Sequence, residues 1–377
     1  MARQISHGSS VPLRILMVTP RYLPEMGGVE NHVHQVASRL EQAGVQITVL
    51  TTDREGNLPS DELENGVQIK RVRAWPARGD YYFAPGIYKY IQQSKPDLVH
   101  IQSFHTLVAP LAMLAARRAK LPYLLTFHGG GHSSQLRNAL RGSQLALLRR
   151  LLTHAERLVT LAHFEQVYYT EKLHLPAERF ALIPNGADLP KLANKAEKKR
   201  DETLIASVGR LERYKGHQRI IAALPAILKQ KPDVLLWIAG KGPYESALRI
   251  LARKLSVEDH VRFQAIPPED RERMAQELAN ASLVVLLSEY ETHPIAILEA
   301  LALGRPALVA DTSGLSELCE QGLVRGIPLD STPDQVAAAV MEQLRSPLIH
   351  EKIDLPSWDD CAEGLLNLYN EILKVQR

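Results

Sequence analysis

Cysteine is scarce in this chain. Its two, Cys319 and Cys361, stand far apart without metal-ligand spacing, which argues against a disulfide framework or zinc site and leads us to expect reduced thiols in a cytosolic setting. Long apolar runs are missing as well: nothing approaches the roughly 18 residues a membrane-spanning helix needs. The stretch Met1 to Pro12 is polar and lacks the apolar centre of a secretory leader, so neither a leader nor a membrane span is expected. Gly-x-Gly-x-x-Gly does not follow the first strand-like segment, which weighs against a nicotinamide-dependent dehydrogenase. His100, His105 and His132 show no ligand spacing, and no paired acids close a strand of the first half, so no metal is expected. Short-period repeats and low-complexity tracts are also absent.

What is present is ordinary globular material in excess of one core. With 377 residues, 45% apolar and 23% charged, two domains are the prior. The net charge of +3 is uneven, +6 over residues 1–190 and −3 over the remainder, so the first half is the side expected to meet an acidic partner. We expect no nucleic acid among the partners.

Strand-length apolar segments alternate with helical periodicity. Arg14 to Pro20, Gln46 to Thr51, Val67 to Val72, Asp97 to Ile101, Tyr123 to Phe127 and Leu158 to Leu161 read as strands, with helices over Val29 to Gln42 and Leu107 to Arg118. Residues 191–201 are charge-rich and poor in large apolar side chains, a domain boundary. A second series follows, with strands at Leu204–Val208, Val234–Ala239, Val261–Gln264, Leu283–Leu287 and Ala307–Ala310. Its helices are Gln218–Lys229, Tyr244–Lys254, Arg271–Asn280, Ile295–Leu303 and Gln335–Leu344. The fold class is therefore α/β, two doubly wound parallel halves. A last amphipathic helix carries Leu365, Leu366, Leu368, Tyr369, Ile372 and Leu373 on one side, with Ser357 as its cap, and needs a surface to cover it. The expected division is a polar tail 1–12, domains 13–190 and 191–355, and the terminal helix 356–377.

The chemistry centres on Ser288-Glu-Tyr-Glu-Thr-His-Pro-Ile-Ala-Ile-Leu-Glu-Ala-Leu-Ala-Leu-Gly-Arg-Pro306. Glu291 precedes a helix start, Pro294 fits its first turn, and Glu299 lies two turns inside. Carboxylates accept hydrogen bonds only, which suits sugar hydroxyls, and the helix start is an anion site. The plain alternative is an acid complementing the helix dipole and a solvated helical glutamate. Gly209-Arg-Leu-Glu-Arg-Tyr-Lys-Gly216 follows a strand, so Arg210 and Lys215 lie where ligands of such sheets bind and can hold a diphosphate, unless they are merely surface charge. Gly27 and Gly28 open the first helix and let a ligand approach the backbone, or are loop glycines. His128, in Thr126-Phe-His-Gly-Gly-Gly131, could donate to a sugar hydroxyl or carbonyl, or be a structural histidine. From Leu136 to Val159, Arg137, Arg141, Arg149, Arg150 and Arg157 face a single acid among leucines: a basic helix for an anionic membrane or acidic acceptor, or a surface helix packing its leucines inward.

Together these pieces resemble the retaining glycosyltransferases of family 4, with a GT-B fold of two facing Rossmann-like domains. The marks are Gly27-Gly28-Val-Glu30, Phe127-His-Gly129, Ile183-Pro-Asn-Gly-Ala-Asp188, Gly209-Arg-Leu211 with Lys215-Gly216, Ala239-Gly-Lys-Gly-Pro243 and Glu291 through Gly304. The resemblance implies that Arg210 and Lys215 bind the diphosphate of a UDP- or GDP-sugar, that Glu291 holds the transferred sugar and that Glu299 holds the ribose. It implies that Gly27, Gly28, Gly240, Gly242, His293, Pro294 and Ile295 line the donor, that Phe263 to Ile266 face the base, and that His128 contacts the sugar from the other domain. The terminal helix from Trp358 is expected to cross back onto the first domain. The stretch departs from the family's usual glycine and aromatic in carrying Thr292 and His293, so the resemblance does not name the donor sugar.

The implied activity is metal-independent hexosyl transfer to an acceptor hydroxyl with retention of anomeric configuration, no cofactor being required. The acceptor is a sugar or a lipid-linked sugar, in glycolipid, cell-surface glycan or polysaccharide synthesis. The protein is expected in the cytoplasm, with an anionic membrane inner face as a partner for the Arg137, Arg141, Arg149 and Arg150 helix. Rival readings are a nucleotide-sugar epimerase or glycan phosphorylase of the same fold, and a non-catalytic sugar-nucleotide-binding protein.

Overall fold

The computed structural model describes residues 12–25, 27–77, 82–129, 135–187, 189, 203–267 and 270–375, the side chains of 135–141 excepted. The expected polar tail, the boundary stretch 191–201, Gly130, Gly131, His132 and Asp188 therefore lie outside the described residues, as do the side chains of Arg137 and Arg141. The chain forms two compact units. One draws on Met1–Gly129, Leu140–Gly186 and Ser357–Arg377, the other chiefly on Ala187–Pro356.

The first unit is built on eight strands. In chain order its elements are β1 (Arg14–Val18), α1 (Gly28–Gln42), β2 (Gln46–Asp53), β3 (Asp61–Glu64), β4 (Val67–Arg73), α2 (Pro85–Ser94), β5 (Leu98–Gln102), α3 (Val108–Ala119), β6 (Tyr123–Thr126), α4 (Gln135–Leu152), β7 (Leu158–Thr160), α5 (His163–Leu173) and β8 (Phe180–Leu182). The sheet order is β3-β4-β2-β1-β5-β6-β7-β8, and Val18 lies opposite both Leu50 and Ile101. β1 and β5 are nearly continuous apolar runs because helices cover both faces of the sheet. One correction to the all-parallel expectation is β3, which runs antiparallel to β4. Asn65 and Gly66 both have positive φ, 49° and 86°, the turn that closes a tight hairpin and that Asn-Gly favours.

The second unit has β9 (Thr203–Val208), α6 (His217–Gln230), β10 (Val234–Ala239), α7 (Glu245–Lys254), β11 (Val261–Phe263), α8 (Arg271–Asn280), β12 (Leu283–Leu286), α9 (Ile295–Ala302), β13 (Ala307–Ala310), α10 (Ser313–Glu320), β14 (Arg325–Ile327) and α11 (Pro333–Arg345). Its six strands are all parallel, in the order β11-β10-β9-β12-β13-β14. β9 and β12 are adjacent at the centre, so the loops that follow them emerge together at the carboxyl edge, where open α/β sheets bind ligands.

Last comes α12 (Trp358–Val375), which belongs to the first unit. Its start is a full reciprocal cap: Asp360 N–H donates to Ser357 Oγ (3.1 Å) and Ser357 N–H to Asp360 Oδ2 (2.8 Å). The face carrying Trp358, Cys361, Leu365, Leu366, Leu368, Tyr369 and Ile372 is buried, and the helix packs on α1, where Arg39 pairs with Asp359 at 2.6 Å. This is the covering surface its amphipathic pattern required.

Candidate active site

The loops after β9 and β12 deliver one compact arrangement in the second unit. Lys215 Nζ lies 2.6 Å from Glu291 Oε1, and Ser288 Oγ donates to the same oxygen at 2.7 Å. Glu291 and Ser288 are buried and the Lys215 side chain nearly so. Both donors fall on Oε1, so among the described residues Oε2 has no hydrogen-bond partner and can accept from a ligand. The backbone around Glu291 is pinned too. Its N–H donates to Ser313 Oγ (2.8 Å), and Gly314 N–H donates to its carbonyl (2.9 Å). A Cβ on Gly314 would sit 1.9 Å from the Thr292 carbonyl oxygen, so this close approach requires glycine.

The cations are arranged by Tyr214, a buried side chain between them. Arg210 Nη2 donates to its hydroxyl (2.9 Å), and Lys215 Nζ stands 5.4 Å from its ring centre. Beneath them His217 is fully buried, its Nδ1 2.8 Å from Ser207 Oγ and its Nε2 3.3 Å from the Arg210 carbonyl. Burial holds this imidazole neutral, its pKa pushed down to about 4, so Nε2–H donates to the carbonyl and Nδ1 accepts from the serine. Gly240 and Gly242 back the same loop. Cβ atoms there would meet the Gly209 and Leu211 carbonyl oxygens at 1.9 and 2.4 Å.

Pro294 is the residue before α9 rather than within its first turn, with Ile295 the first helical residue. His293 precedes them, and the N–H groups that begin α9 face outward as at any helix start. Glu299, also buried, is not joined to Glu291: it pairs with Arg271 at the start of α8. Near the end of β11 the Arg249 guanidinium lies 4.3 Å over the Phe263 ring, and Ile266 packs into the core with Leu204 and Trp237.

In the first unit, Gly27 caps α1 in an extended conformation, and a Cβ on Gly28 would meet nothing within 4 Å, so space is open beside it. His128 is buried, and its Nε2 lies 2.7 Å from Gln102 Oε1. That amide oxygen only accepts, so Nε2 carries the proton. With the proton on Nε2 spent on Gln102, Nδ1 is the nitrogen able to accept from a hydroxyl. Burial, with His32, His100 and His105 near, drives its pKa well down. The His32 ring stands edge-on at 4.8 Å, held by Asn185 Oδ1 at 2.7 Å from its Nδ1. His100 bridges Tyr369 Oη (2.6 Å) and Thr126 Oγ1 (2.7 Å). The carboxylate of Glu165, fully buried, accepts the N–H groups of Gly129 and Leu161, both at 2.9 Å, tying the ends of β6 and β7 together.

On α4, Leu145, Leu148 and Leu152 are buried while Arg149 and Arg150 are exposed, with Leu147 outermost at 82%. Arg149 Nε also donates to the Leu173 carbonyl (2.8 Å). The inward-leucine reading and the outward basic face therefore hold on the same helix. Among the described residues no helix is long and apolar enough to cross a membrane.

Sequence reasoning named the candidate site side chains but not the residues that hold them. Ser288, Tyr214, Gln102, Asn185 and Arg271 become visible only when distant strand ends meet, although Ser288, Asn185 and Tyr214 sit inside stretches already singled out.

Two doubly wound α/β units of this kind make up the GT-B fold. Residues 26–191 match the model of Glycosyltransferase Family 4, and residues 189–354 that of Glycosyl transferases group 1. The glycogen synthase of Mycobacterium tuberculosis is 30% identical, over 89% of this chain and 87% of its own. Sucrose-phosphate synthase from Thermosynechococcus elongatus has a similar structure, with a TM-score of 0.73 at 19% identity over 97% of each chain. Anabaena Alr3699/HepE, solved with UDP and glucose, superimposes with a TM-score of 0.69 at 18% identity, over 96% of this chain and 97% of that one. The chain belongs to the family 4 glycosyltransferases.

Proposed function

We propose that this enzyme moves a hexosyl group from a UDP- or GDP-sugar to an acceptor hydroxyl with retention of configuration and without a required metal. The observation that carries the reading is the pairing of Lys215 with Glu291 through Oε1 alone, beside Arg210 and the start of α9. In the reaction the bond from the anomeric carbon to the diphosphate oxygen breaks, and a bond to the acceptor oxygen forms on the same face. The acceptor proton passes to the departing diphosphate. Arg210, Lys215 and the first N–H groups of α9 offset the charge that grows there, and the two cations, already held at Tyr214, need little rearrangement. Glu291 Oε2 takes a hydroxyl of the transferred sugar. Glu299 takes the ribose hydroxyls, sharing its carboxylate with Arg271, and in the first unit His128 Nδ1 is able to accept a sugar hydroxyl. The binding of UDP and glucose by the Anabaena relative supports a uridine nucleotide as first choice of donor.

The second unit is the donor side and the first the acceptor side on this reading. The exposed Arg149 and Arg150 beside Leu147 on α4 support a peripheral position on an anionic cytoplasmic membrane surface, and with it a lipid-linked or cell-surface glycan acceptor. Flotation with anionic vesicles at low and high salt tests this part, and binding that ignores salt or never occurs removes it.

The function is tested by a thermal-shift and hydrolysis screen against UDP- and GDP-sugars in EDTA. One donor should raise the melting temperature and release its nucleotide slowly. Silence with every donor overturns the proposal.

A further inference from the structure

An aromatic pair outside the site described above stands exposed at the carboxyl end of the first sheet. Just beyond β4, Trp75 N–H donates to the Phe83 carbonyl (3.0 Å) and Phe83 N–H to the Trp75 carbonyl (2.6 Å), a single antiparallel bridge. Residues that exchange both bonds lie directly opposite, so their side chains project from the same face. Trp75 is 54% exposed and Phe83 49%, whereas their neighbours Ala74, Tyr82 and Ala84 are buried. The pleat therefore holds the two rings out in solvent while their flanks anchor the loop.

The anchoring is substantial. Tyr82 Oη donates to the Pro20 carbonyl (2.8 Å), as does Thr52 Oγ1 (2.8 Å), which ties the segments following β1 and β2 and the Phe83 strand into one base. Two large aromatic side chains side by side, each leaving about half of its surface in water, are a feature of a contact surface. The charges around this base indicate what kind of ligand it fits. Arg54 is paired with Glu25 at 3.0 Å and lies 5.6 Å over the Tyr82 ring, and Arg21 is 3.4 Å from Glu30. Cations already matched by carboxylates offer little to an anionic headgroup but many hydrogen-bonding atoms to hydroxyls.

We propose that Trp75 and Phe83 form a stacking platform for one ring of a neutral oligosaccharide acceptor, an inference that rests on the glycosyl-transfer reading above. A pyranose presents an apolar C–H face to the rings and its hydroxyls to the polar rim. β4 lies two strands from β1, a lateral distance on the order of 10 Å. If Gly28, which follows β1, lines the donor as the resemblance implies, the platform holds a ring other than the one that reacts, and the acceptor has more than one sugar.

Tryptophan fluorescence reads this site directly, since Trp237 and Trp358 are buried and Trp75 is exposed. Wild-type protein is titrated with short neutral oligosaccharides of glucose, mannose, galactose and N-acetylglucosamine, and in a parallel arm with anionic phospholipid vesicles, following iodide quenching. Shielding by a neutral oligosaccharide is expected, with affinity about tenfold weaker in Phe83→Ala. Transfer to that oligosaccharide should fall similarly in Trp75→Ala, with acceptor-free donor hydrolysis and melting temperature unchanged. Shielding by vesicles alone, by none of the probes, or unaltered in Phe83→Ala overturns the platform. Loss of donor hydrolysis in the wild type would instead strike the glycosyl-transfer reading.

Discussion

Lys215 and Glu291, from loops after two adjacent strands, meet at 2.6 Å, and Ser288 occupies the same carboxylate oxygen. The carboxylate is thus oriented before any ligand arrives. Removing either charge should cost transfer about 10²–10³-fold in kcat, the usual toll for a preorganised group at developing charge. Lys215→Ala and Glu291→Gln are to be assayed for transfer and for unfolding by circular dichroism. A folded variant with undiminished transfer would sink the site assignment.

Ser288→Ala removes the second donor to Glu291 Oε1 without touching a ligand. It should lower stability by about 1 kcal/mol and kcat several-fold, with the donor KM nearly constant. A change in KM alone would mean that Glu291 does not depend on the serine.

The buried histidines predict acid sensitivity. His32 and His217 both have pKa values lowered to about 4 by burial, against 6.5 for a free imidazole. The unfolded chain then binds more protons between these values, so the stability they contribute is fully present above about 6.5 and drains as pH falls toward 4. The slope is about 1.4 kcal/mol per pH unit for each group. Urea unfolding at several pH values measures it, and His217→Gln should flatten the slope.

Tyr369→Phe leaves the buried His100 Nδ1 without its partner on α12. A loss of about 1–3 kcal/mol in unfolding free energy is expected, and faster amide exchange along α12 should accompany it. Unchanged exchange would mean that apolar contacts alone hold the helix.

Gly216 has φ of 78°, and a Cβ there would sit 1.9 Å from the Leu287 carbonyl oxygen. Gly216→Ala should therefore destabilise by more than about 1 kcal/mol and displace Lys215, weakening donor binding in a thermal-shift titration. Wild-type stability in this variant would contradict the geometry.

The long periodic elements were legible in the sequence because burial repeats along them: every strand of the second series except β14 was readable from an apolar run. The misses have physical causes. β3 is the charged Asp61–Glu64, an edge strand with no buried face to advertise it, and the Asn65-Gly66 turn beside it went unread. α2, α5 and α10 each bury only two or three residues, which leaves a weak apolar period, and β14 is three residues of mixed burial. At the site, residue type and position at strand ends singled out Lys215, Arg210 and Glu291. The serine, tyrosine and asparagine that orient site residues were hidden because their roles depend on contacts such as His32 with Asn185, 153 residues apart.

The topology of α12 bears on how the polypeptide emerges from the ribosome. Ala187 N–H donates to the Pro356 carbonyl at 3.0 Å, so the second unit is an insertion with its two ends clasped together. It can fold as soon as residue 356 is free. The first unit must wait, its sheet already made but His100 lacking Tyr369 and His32 lacking Trp358. During synthesis the earlier-made half is therefore the later one to finish, and a chaperone that shields exposed apolar surface has its longest opportunity on the α1 face that α12 finally closes.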